Sequence, residues 1–211
     1  MTVYKTEEEQ VEDIKRWAKA YGPSIIIGIL IALAVMYGWR FWQAHETKRA
    51  VRASLIYQAM LDATSNEQPK SATQAANRLI TTYPRTPYAQ YARLLLAKMA
   101  IADNNYFTAK QYLKWVAKHG YNKSIRQIAQ LRLARIALQQ KNPNAALQYL
   151  DYTLDNVYKG LIAEIKGEAY EMEGQSKLAL EQYNIALTNI PNVDKVMPGL
   201  RLKVTQLQSL A

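Results

Sequence analysis

The hydrophobic and polar positions of this chain separate one uncharged run from a long series of amphipathic segments. Residues 20–39 carry no charged side chain and lie between Lys19 and Arg40. A helix rises about 1.5 Å per residue, so this run spans about 30 Å, the thickness of a bilayer's hydrocarbon core. The pattern predicts a transmembrane helix at residues 23–42.

The flanks of the run support this prediction. Aromatic residues gather at both ends, as they do at the two interfaces of a bilayer: Trp17, Tyr21, Tyr37, Trp39, Phe41 and Trp42. A buried core helix is usually shorter, and a cleaved signal peptide has a short basic start, whereas the segment before this run is long and acidic. We therefore expect an uncleaved membrane anchor.

The N-terminal segment, residues 1–22, has its own helical pattern. Thr6 and Glu9 form a capping-box pair at a helix start. Apolar residues then recur at helical spacing between charged ones, which favours a short amphipathic helix on the membrane surface over a solvated tail. Gly22 and Pro23 are expected to break that helix before the membrane span.

Small residues recur along the predicted span at Ser24, Gly28 and Ala32. Spacing of four places them on one side of a helix, where small side chains let a second helix approach closely. The stripe is a candidate contact with a membrane partner, although short stripes of this kind also arise by chance.

The pattern after Arg40 is helical as far as the C-terminus. No helix breaker occurs before about Thr64, so the spanning helix is expected to continue into the next domain. Residues 65–69 form the first clear loop, and later breaks fall at residues 83–87, 103–105, 119–122, 141–144, 160, 174 and 191. No alternating strand pattern bounded by hairpin turns is present. Residues 43–211 are predicted to form one all-α domain.

These helices repeat with a period of 33 to 37 residues. Residues 167–191 contain Gly167-x2-Tyr170, Ala179-x3-Tyr183 and a late Pro191, which is close to the tetratricopeptide pattern. The pattern predicts that the small residue of each second helix is Ala75, Ala109, Ala146 or Ala179. A larger residue follows four positions later, at Leu79, Leu113, Leu150 and Tyr183. The first helices supply Ala63, Ala97 and Ala134.

The period predicts a tetratricopeptide-like α-solenoid of about four helix pairs, in which each unit is buried against its neighbour. Residues 199–210 are the expected C-terminal capping helix. An unrelated helical bundle with accidental alanine spacing is the alternative.

The composition offers few residues suited to catalysis or metal binding. There are no cysteines and only two, well-separated histidines, and no phosphate loop, dinucleotide fingerprint or metal-ligand cluster occurs. Glu164, Glu168 and Glu171 share one helix face, but a solvated acidic face explains them better than acid–base catalysis. We predict no enzymatic activity, no cofactor and no metal site.

Binding is the better prediction. The first helix of each tetratricopeptide pair lines a concave groove, which suits an extended polypeptide. The predicted protein-binding groove consists of Tyr91, Leu94, Lys98, Ile101, Ile128, Leu131, Arg135 and Leu138, with Tyr57 and Met60 before it and Glu164, Glu168, Glu171 and Met172 after it. The alternative is that a neighbouring helix covers these apolar residues and makes them core.

The net charge of +10 is concentrated in residues 70–141, which hold thirteen Lys or Arg and one acid, Asp103. A solvated surface, a patch facing anionic lipid or an acidic partner, and a nucleic-acid site are the three interpretations. Interleaved tyrosines are compatible with the last but are equally natural between packed helices. The role of this basic belt stays open, and we expect no nucleic-acid partner; the membrane is an expected partner because of the anchor.

The acidic amphipathic start, the span ending in Gly38-Trp39-Arg40-Phe41-Trp42 and the degenerate tetratricopeptide domain together resemble the bacterial YfgM family. The resemblance implies an ancillary, single-pass inner-membrane subunit of the SecYEG translocon. It implies a cytoplasmic N-terminus and a periplasmic domain that works with chaperones, including the membrane-anchored PpiD, on unfolded or extended clients.

The residues themselves leave orientation open. Lys15, Arg16 and Lys19 precede the run, whereas Arg40, Lys48, Arg49 and Arg52 follow it, so the positive-inside rule comes close to a tie. A cell-envelope assembly scaffold unrelated to Sec is the alternative function.

Overall fold

The computed structural model describes residues 7–151 and 156–210, without the side chains of residues 7–10, 13–14, 18, 23–26, 29, 44, 156 and 210. Over these ranges the chain forms helices and no strand. The helices are α1 (Glu7–Ser65), α2 (Pro69–Thr82), α3 (Pro87–Ala102), α4 (Tyr106–His119), α5 (Lys123–Gln139), α6 (Pro143–Leu150), α7 (Lys159–Met172), α8 (Ser176–Asn189), α9 (Val193–Val196) and α10 (Leu200–Leu210). The all-α prediction is confirmed.

The chain divides into two compact units, Met1–Arg52 and Ala53–Ala211. The described part of the first unit belongs to α1, whose backbone stays helical through Gly22 and Pro23. The predicted break there is wrong. A proline removes one donor from the helical ladder, and the residues on both sides continue it.

Within the described residues, no helix reaches the length and hydropathy required of a membrane span. Gly28 and Ala32, of the predicted stripe, are exposed, and no atom lies within 4 Å of a Cβ placed on Gly28. The side chain of Ser24 is outside the described residues.

The second unit repeats one turn four times. A left-handed residue stands between the helices of each pair at Glu67, Asn104, Lys141 and Gly174, at spacings of 37, 37 and 33 residues. The next residue's N–H then donates to a carbonyl five positions earlier, at 2.8–2.9 Å. These turns define four pairs: residues 53–65 of α1 with α2, α3 with α4, α5 with α6, and α7 with α8.

The turns correct the first repeat. Ala72, Ala109, Ala146 and Ala179 each lie five residues after the left-handed residue, and each N–H donates to the carbonyl four positions earlier. Ala75, which is only partly buried, is therefore not the equivalent residue. Helix α2 has alanines at 72, 75 and 76, so alanine spacing alone did not fix its register.

Equivalent positions pack small against large in every pair. Ala97 and Leu113 share one core cluster, and Ala134 and Leu150 share another. In the first pair the sizes are exchanged, because Met60 of α1 packs with Ala76 of α2.

The last pair keeps the order of the two middle pairs and takes it to its limit, with glycine on its first helix and tyrosine on its second. A Cβ placed on Gly167 would lie 2.5 Å from the Tyr183 ring, so only glycine lets this tyrosine fill the space between α7 and α8. Tyr183 is 1% exposed.

The C-terminal helix α10 closes the last pair. Its Leu200, Val204 and Leu207 join the core cluster that contains Ala179 and Tyr183. Each side chain is spaced three or four residues from the next, so one apolar stripe of α10 faces α8. The expected cap is therefore present, and it covers an apolar surface that a fifth pair would otherwise cover.

Candidate functional site

The first helices of the pairs are joined along one face by side-chain contacts. The rings of Tyr57 and Tyr91 lie 5.8 Å apart between α1 and α3. Arg132 Nη1 of α5 donates to the Leu94 carbonyl oxygen of α3 at 3.2 Å. Arg135 Nη2 of α5 donates to Glu164 Oε2 of α7 at 2.9 Å. We call the surface formed by residues 53–65, α3, α5 and α7 the first-helix face.

Three residues of the predicted groove do not belong to this surface. Leu94, Leu131 and Leu138 are each 7% exposed and lie in core clusters. Helix α5 has nine buried residues among its 17, because it packs against α4, α6 and α7. A helix covered on several sides buries positions that helical spacing assigns to a groove.

The other five predicted residues remain at least partly accessible. Lys98 and Arg135 are exposed, Tyr91 is 36% exposed, and Ile101 and Ile128 are half-buried. Their role in binding stays a prediction.

A cluster of tyrosines forms at the start of α3. Tyr57 lies 5.2 Å from Tyr88 and 5.8 Å from Tyr91, centroid to centroid. The pKa of Tyr91 is raised, chiefly by its interaction with the Tyr121 side chain and then by burial. Tyr121 is 53% exposed. Tyr121 was not among the predicted groove residues, because it lies in the connection between α4 and α5, outside the helical pattern.

A cleft opens between α3 and α5, two turns further along α3. Its volume is about 410 Å³, and it is lined by Lys98, Ile101, Arg132, Arg135, Ile136 and Gln139. Three of these, Lys98, Ile101 and Arg135, belong to the predicted groove. Arg132 was missed; its position four residues after Ile128 and three before Arg135 places it on the same side of α5, which was the available signal.

Arg132 and Arg135 are held differently. Burial lowers the pKa of Arg132, and its hydrogen bond to the Leu94 carbonyl fixes the guanidinium between the two helices. The Arg135 side chain is 48% exposed and pairs with Glu164, whose side chain is 15% exposed.

The acidic end of the face is largely engaged in internal contacts. Burial raises the pKa of Glu164, and Arg135 opposes that shift. Glu171 accepts a hydrogen bond from the Tyr183 hydroxyl and lies 3.6 Å from Lys203 Nζ. Burial, followed by the hydrogen bond to Glu171, raises the pKa of Tyr183. Among the described residues, no group of three or more His, Asp or Glu is placed to hold a metal ion.

A second basic cleft is formed by residues of α4, α5 and α6. It has a volume of about 360 Å³ and is lined by Lys114, Ala117, Lys118, Gln130, Leu133, Gln148 and Tyr149. Lys114 and Lys118 are one helical turn apart on α4 and both are exposed. The basic residues of the chain are therefore spread over more than one surface.

The comparison with protein families gives one match, to the tetratricopeptide repeat-like domain, over residues 15–209. The chain belongs to this family. The match spans nearly the whole chain and agrees with the four repeated turns of the second unit. No solved structure matches the tetratricopeptide repeat-like chain significantly.

Curated relatives of this tetratricopeptide repeat-like protein share one name. The chain is 33% identical over 104 residues to the "Ancillary SecYEG translocon subunit" of Escherichia coli, covering 49% of this chain and 50% of the relative. It is 31% identical to the protein of that name from Haemophilus influenzae, covering 52% and 54%. It is 26% identical to that from Neisseria gonorrhoeae, covering 99% and 100%. The chain thus spans about half the length of the first two, and the resemblance to the YfgM family is confirmed.

Proposed function

We propose that this protein is a non-enzymatic, membrane-anchored tetratricopeptide adaptor that assists protein export. It associates with the SecYEG translocon and with periplasmic chaperones such as PpiD, and it holds emerging polypeptides on its first-helix face. The name that these relatives share supports the translocon part of this proposal. The resemblance to the YfgM family, drawn from the sequence, suggests the chaperone.

One observation carries the binding part: an aromatic cluster and an open cleft lie along the same helix, α3. Tyr91 and Lys98 are seven residues apart, which is about two turns and places them on the same side of the helix. Tyrosine rings contribute large, amphipathic contact area at a small entropic cost. Together with Ile101 and Ile128, they offer an unfolded chain several apolar contacts without demanding one sequence.

The anchor and its orientation belong to the same proposal. Residues 23–42 span the bacterial inner membrane once, the N-terminus is cytoplasmic, and residues 43–211 face the periplasm. The uncharged run with its aromatic flanks supports the span, and the likeness to translocon subunits supports the location. The Ser24, Gly28 and Ala32 stripe is the proposed contact with another membrane helix.

Affinity purification tests the translocon part. We expect the tagged full chain, extracted in mild detergent, to recover SecYEG subunits. A tagged single-pass membrane protein of another family is the control and should recover none. Reproducible absence of SecYEG subunits from the eluate would contradict this part and favour an envelope scaffold.

Substitution of Tyr91 tests the binding part. We expect Tyr91→Ser to weaken binding of an unfolded client by about 5- to 30-fold, because loss of an interface tyrosine commonly costs about 1–2 kcal/mol. Phe107→Ser is the matched control, since Phe107 is 72% exposed on α4, a second helix. Fluorescence anisotropy of a labelled client measures both affinities. Equal losses of affinity in the two variants would show that the first-helix face is not the binding surface.

A further inference from the structure

The cleft between α3 and α5 carries positive charge that its lining does not balance. Half of its six lining residues are cations, Lys98, Arg132 and Arg135, and no carboxylate is among them. Among the described residues, Lys98 forms no ion pair, whereas Arg135 pairs with Glu164 of the neighbouring helix. The cleft therefore favours an anionic ligand.

The same cleft has an aliphatic wall. Ile136 is 2% exposed and belongs to the core cluster against which Ile101 packs. The isoleucines are thus held in place by the core. A volume of about 410 Å³ falls within the range of about 300–1,000 Å³ typical of small-ligand pockets. A ligand that fits pairs a negative group with an aliphatic one.

The two arginines show how an anion would be held. The Arg132 guanidinium is desolvated and fixed by its bond to the Leu94 carbonyl, and its remaining N–H groups lose little freedom on binding a carboxylate. Arg135 already binds one carboxylate, that of Glu164, at 2.9 Å. Charge-assisted hydrogen bonds of this kind are stronger than neutral ones.

We propose that this cleft binds an acidic side chain and an aliphatic side chain two residues away from it in an extended segment of a partner polypeptide, and that Glu164 competes for Arg135. Residues two apart share one face of an extended chain. The inference rests on one part of the proposed function, that polypeptides bind the first-helix face, and adds a preference for sequence. Segments with Glu or Asp two residues from Leu, Ile or Val bind more tightly than uncharged segments of the same shape.

A polypeptide fits this cleft better than other polyanions. The apolar part of the lining consists of Ile101 and Ile136, which match aliphatic side chains. Single-stranded nucleic acid is held by stacking of bases on aromatic side chains next to the cations, and no aromatic side chain lines the cleft. The anion expected here is a carboxylate on a chain that also supplies hydrocarbon.

The test uses two short labelled peptides, one repeating Glu-Ser-Leu-Ser, so that Glu and Leu share one face of the extended chain, and the other with Gln at every Glu position. Each is titrated by fluorescence anisotropy against the full chain in mild detergent. We expect the Glu peptide to bind more tightly than the Gln peptide. We also expect its advantage to shrink as salt is added, because salt screens exposed charges.

Four variants locate the effect. Lys98→Gln and Arg135→Gln should each weaken the Glu peptide by about fivefold, corresponding to about 1 kcal/mol for one ion pair, and leave the Gln peptide unchanged. Glu164→Gln should strengthen the Glu peptide, because it removes the competing carboxylate and keeps the shape of the side chain. Lys114→Gln is the control from the second basic cleft and should change neither affinity.

The outcomes separate this inference from the proposed function. If both peptides bind equally well, or if Lys114→Gln weakens the Glu peptide as much as Lys98→Gln does, the selective cleft is refuted while polypeptide binding stands. Displacement of the Glu peptide by equal charge concentrations of RNA or anionic vesicles also refutes a peptide-specific cleft. If neither peptide nor an unfolded client binds, this inference and the polypeptide-binding part of the proposed function both fail.

Discussion

Tyr183→Ala is expected to lower the free energy of unfolding of the Ala53–Ala211 unit by about 3–5 kcal/mol, the usual range for removing a buried aromatic ring. The ring is 1% exposed and fills the space against Gly167. Its hydroxyl also donates to Glu171. Urea unfolding of the full chain, followed by circular dichroism, measures the change.

Tyr183→Phe is the control for the hydroxyl. It keeps the ring and removes the hydrogen bond to the Glu171 carboxylate, which remains partly solvated and close to Lys203. We expect a smaller loss, of about 1–2 kcal/mol. Equal losses for the two variants would show that the hydrogen bond, rather than packing against Gly167, makes the tyrosine important.

A double-mutant cycle tests the fit between this ring and its glycine. Gly167→Ala alone places a Cβ 2.5 Å from the ring. The energetic cost of this overlap is expected to exceed the stabilisation of about 1 kcal/mol that alanine's higher helix propensity provides. Combined with Tyr183→Leu, it recreates the Ala134 and Leu150 pair of the preceding repeat. We expect the double variant to be more stable than the sum of the single changes predicts, by about 0.5–3 kcal/mol. Strict additivity would contradict the proposed fit between a small residue on the first helix and a large one on the second.

The helix boundaries could be predicted because their signals are local. Asn105 Oδ1 accepts from the Thr108 N–H at 3.1 Å, Asn122 Oδ1 from Ile125 at 2.8 Å, and Asn142 Oδ1 from Ala145 at 3.0 Å. An asparagine that caps a helix start satisfies an otherwise unpaired amide. It therefore marks the same boundary in the sequence and in the structure.

The first repeat was harder to place although residues 65–69 were predicted as a loop. Glu67 and Lys141 adopt the left-handed conformation that Asn104 and Gly174 adopt at the same place in the other repeats. Glycine and asparagine favour that conformation, whereas glutamate and lysine do not, so the residue type does not identify this position. Because α2 has alanines at 72, 75 and 76, Ala75 matched the alanine spacing as well as the equivalent Ala72 did.

The candidate site was harder still, because exposure depends on neighbours that are distant in sequence. Spacing along α5 correctly put Arg135 and Leu131 near the same side of the helix. It could not show that Leu131 packs in a core cluster with Ile162 and Ile165 of α7, while Arg135 pairs with Glu164 at the surface. The same limit applies to Gln90 and Gln127, two polar residues that the hydrophobic pattern would place outside the core.

Gln90 and Gln127 are both buried, at 4% and 2% exposure. Gln90 Oε1 accepts from the Tyr121 N–H at 2.9 Å and so ties α3 to the start of the next pair. Gln127 stands 37 residues later, at the equivalent position of α5, and among the described residues neither of its amide atoms has a partner. The corresponding connection includes residues 152–155, which lie outside the described residues. The burial of these two amides is therefore determined by their position in the repeat and not by their polarity.

Leu131→Asp is expected to remove most of the stability of the Ala53–Ala211 unit at neutral pH. Leu131 is 7% exposed among Ala134, Leu138 and Ile165, so the variant buries an unpaired carboxylate at a cost of several kcal/mol. Folded domains are stable by only about 5–15 kcal/mol. Leu202→Asp, at a leucine that is 62% exposed, is the matched control and should change the free energy of unfolding by less than about 0.5 kcal/mol.

The pH dependence identifies the cause. Burial raises the pKa of the introduced carboxyl in the folded state above its unfolded value of about 3.9. The folded state therefore binds the proton more tightly, so the stability of Leu131→Asp relative to the parent is greatest below that value and is lost as the pH rises through the folded pKa. At acid pH the unfolding curve of Leu131→Asp should therefore approach that of the parent. At neutral pH the two curves should lie further apart. A deficit independent of pH would mean that lost packing, and not the buried charge, destabilises the variant. In either case, a loss of client binding by Leu131→Asp reports unfolding, so binding by the folded groove must be judged from Tyr91 and Lys98.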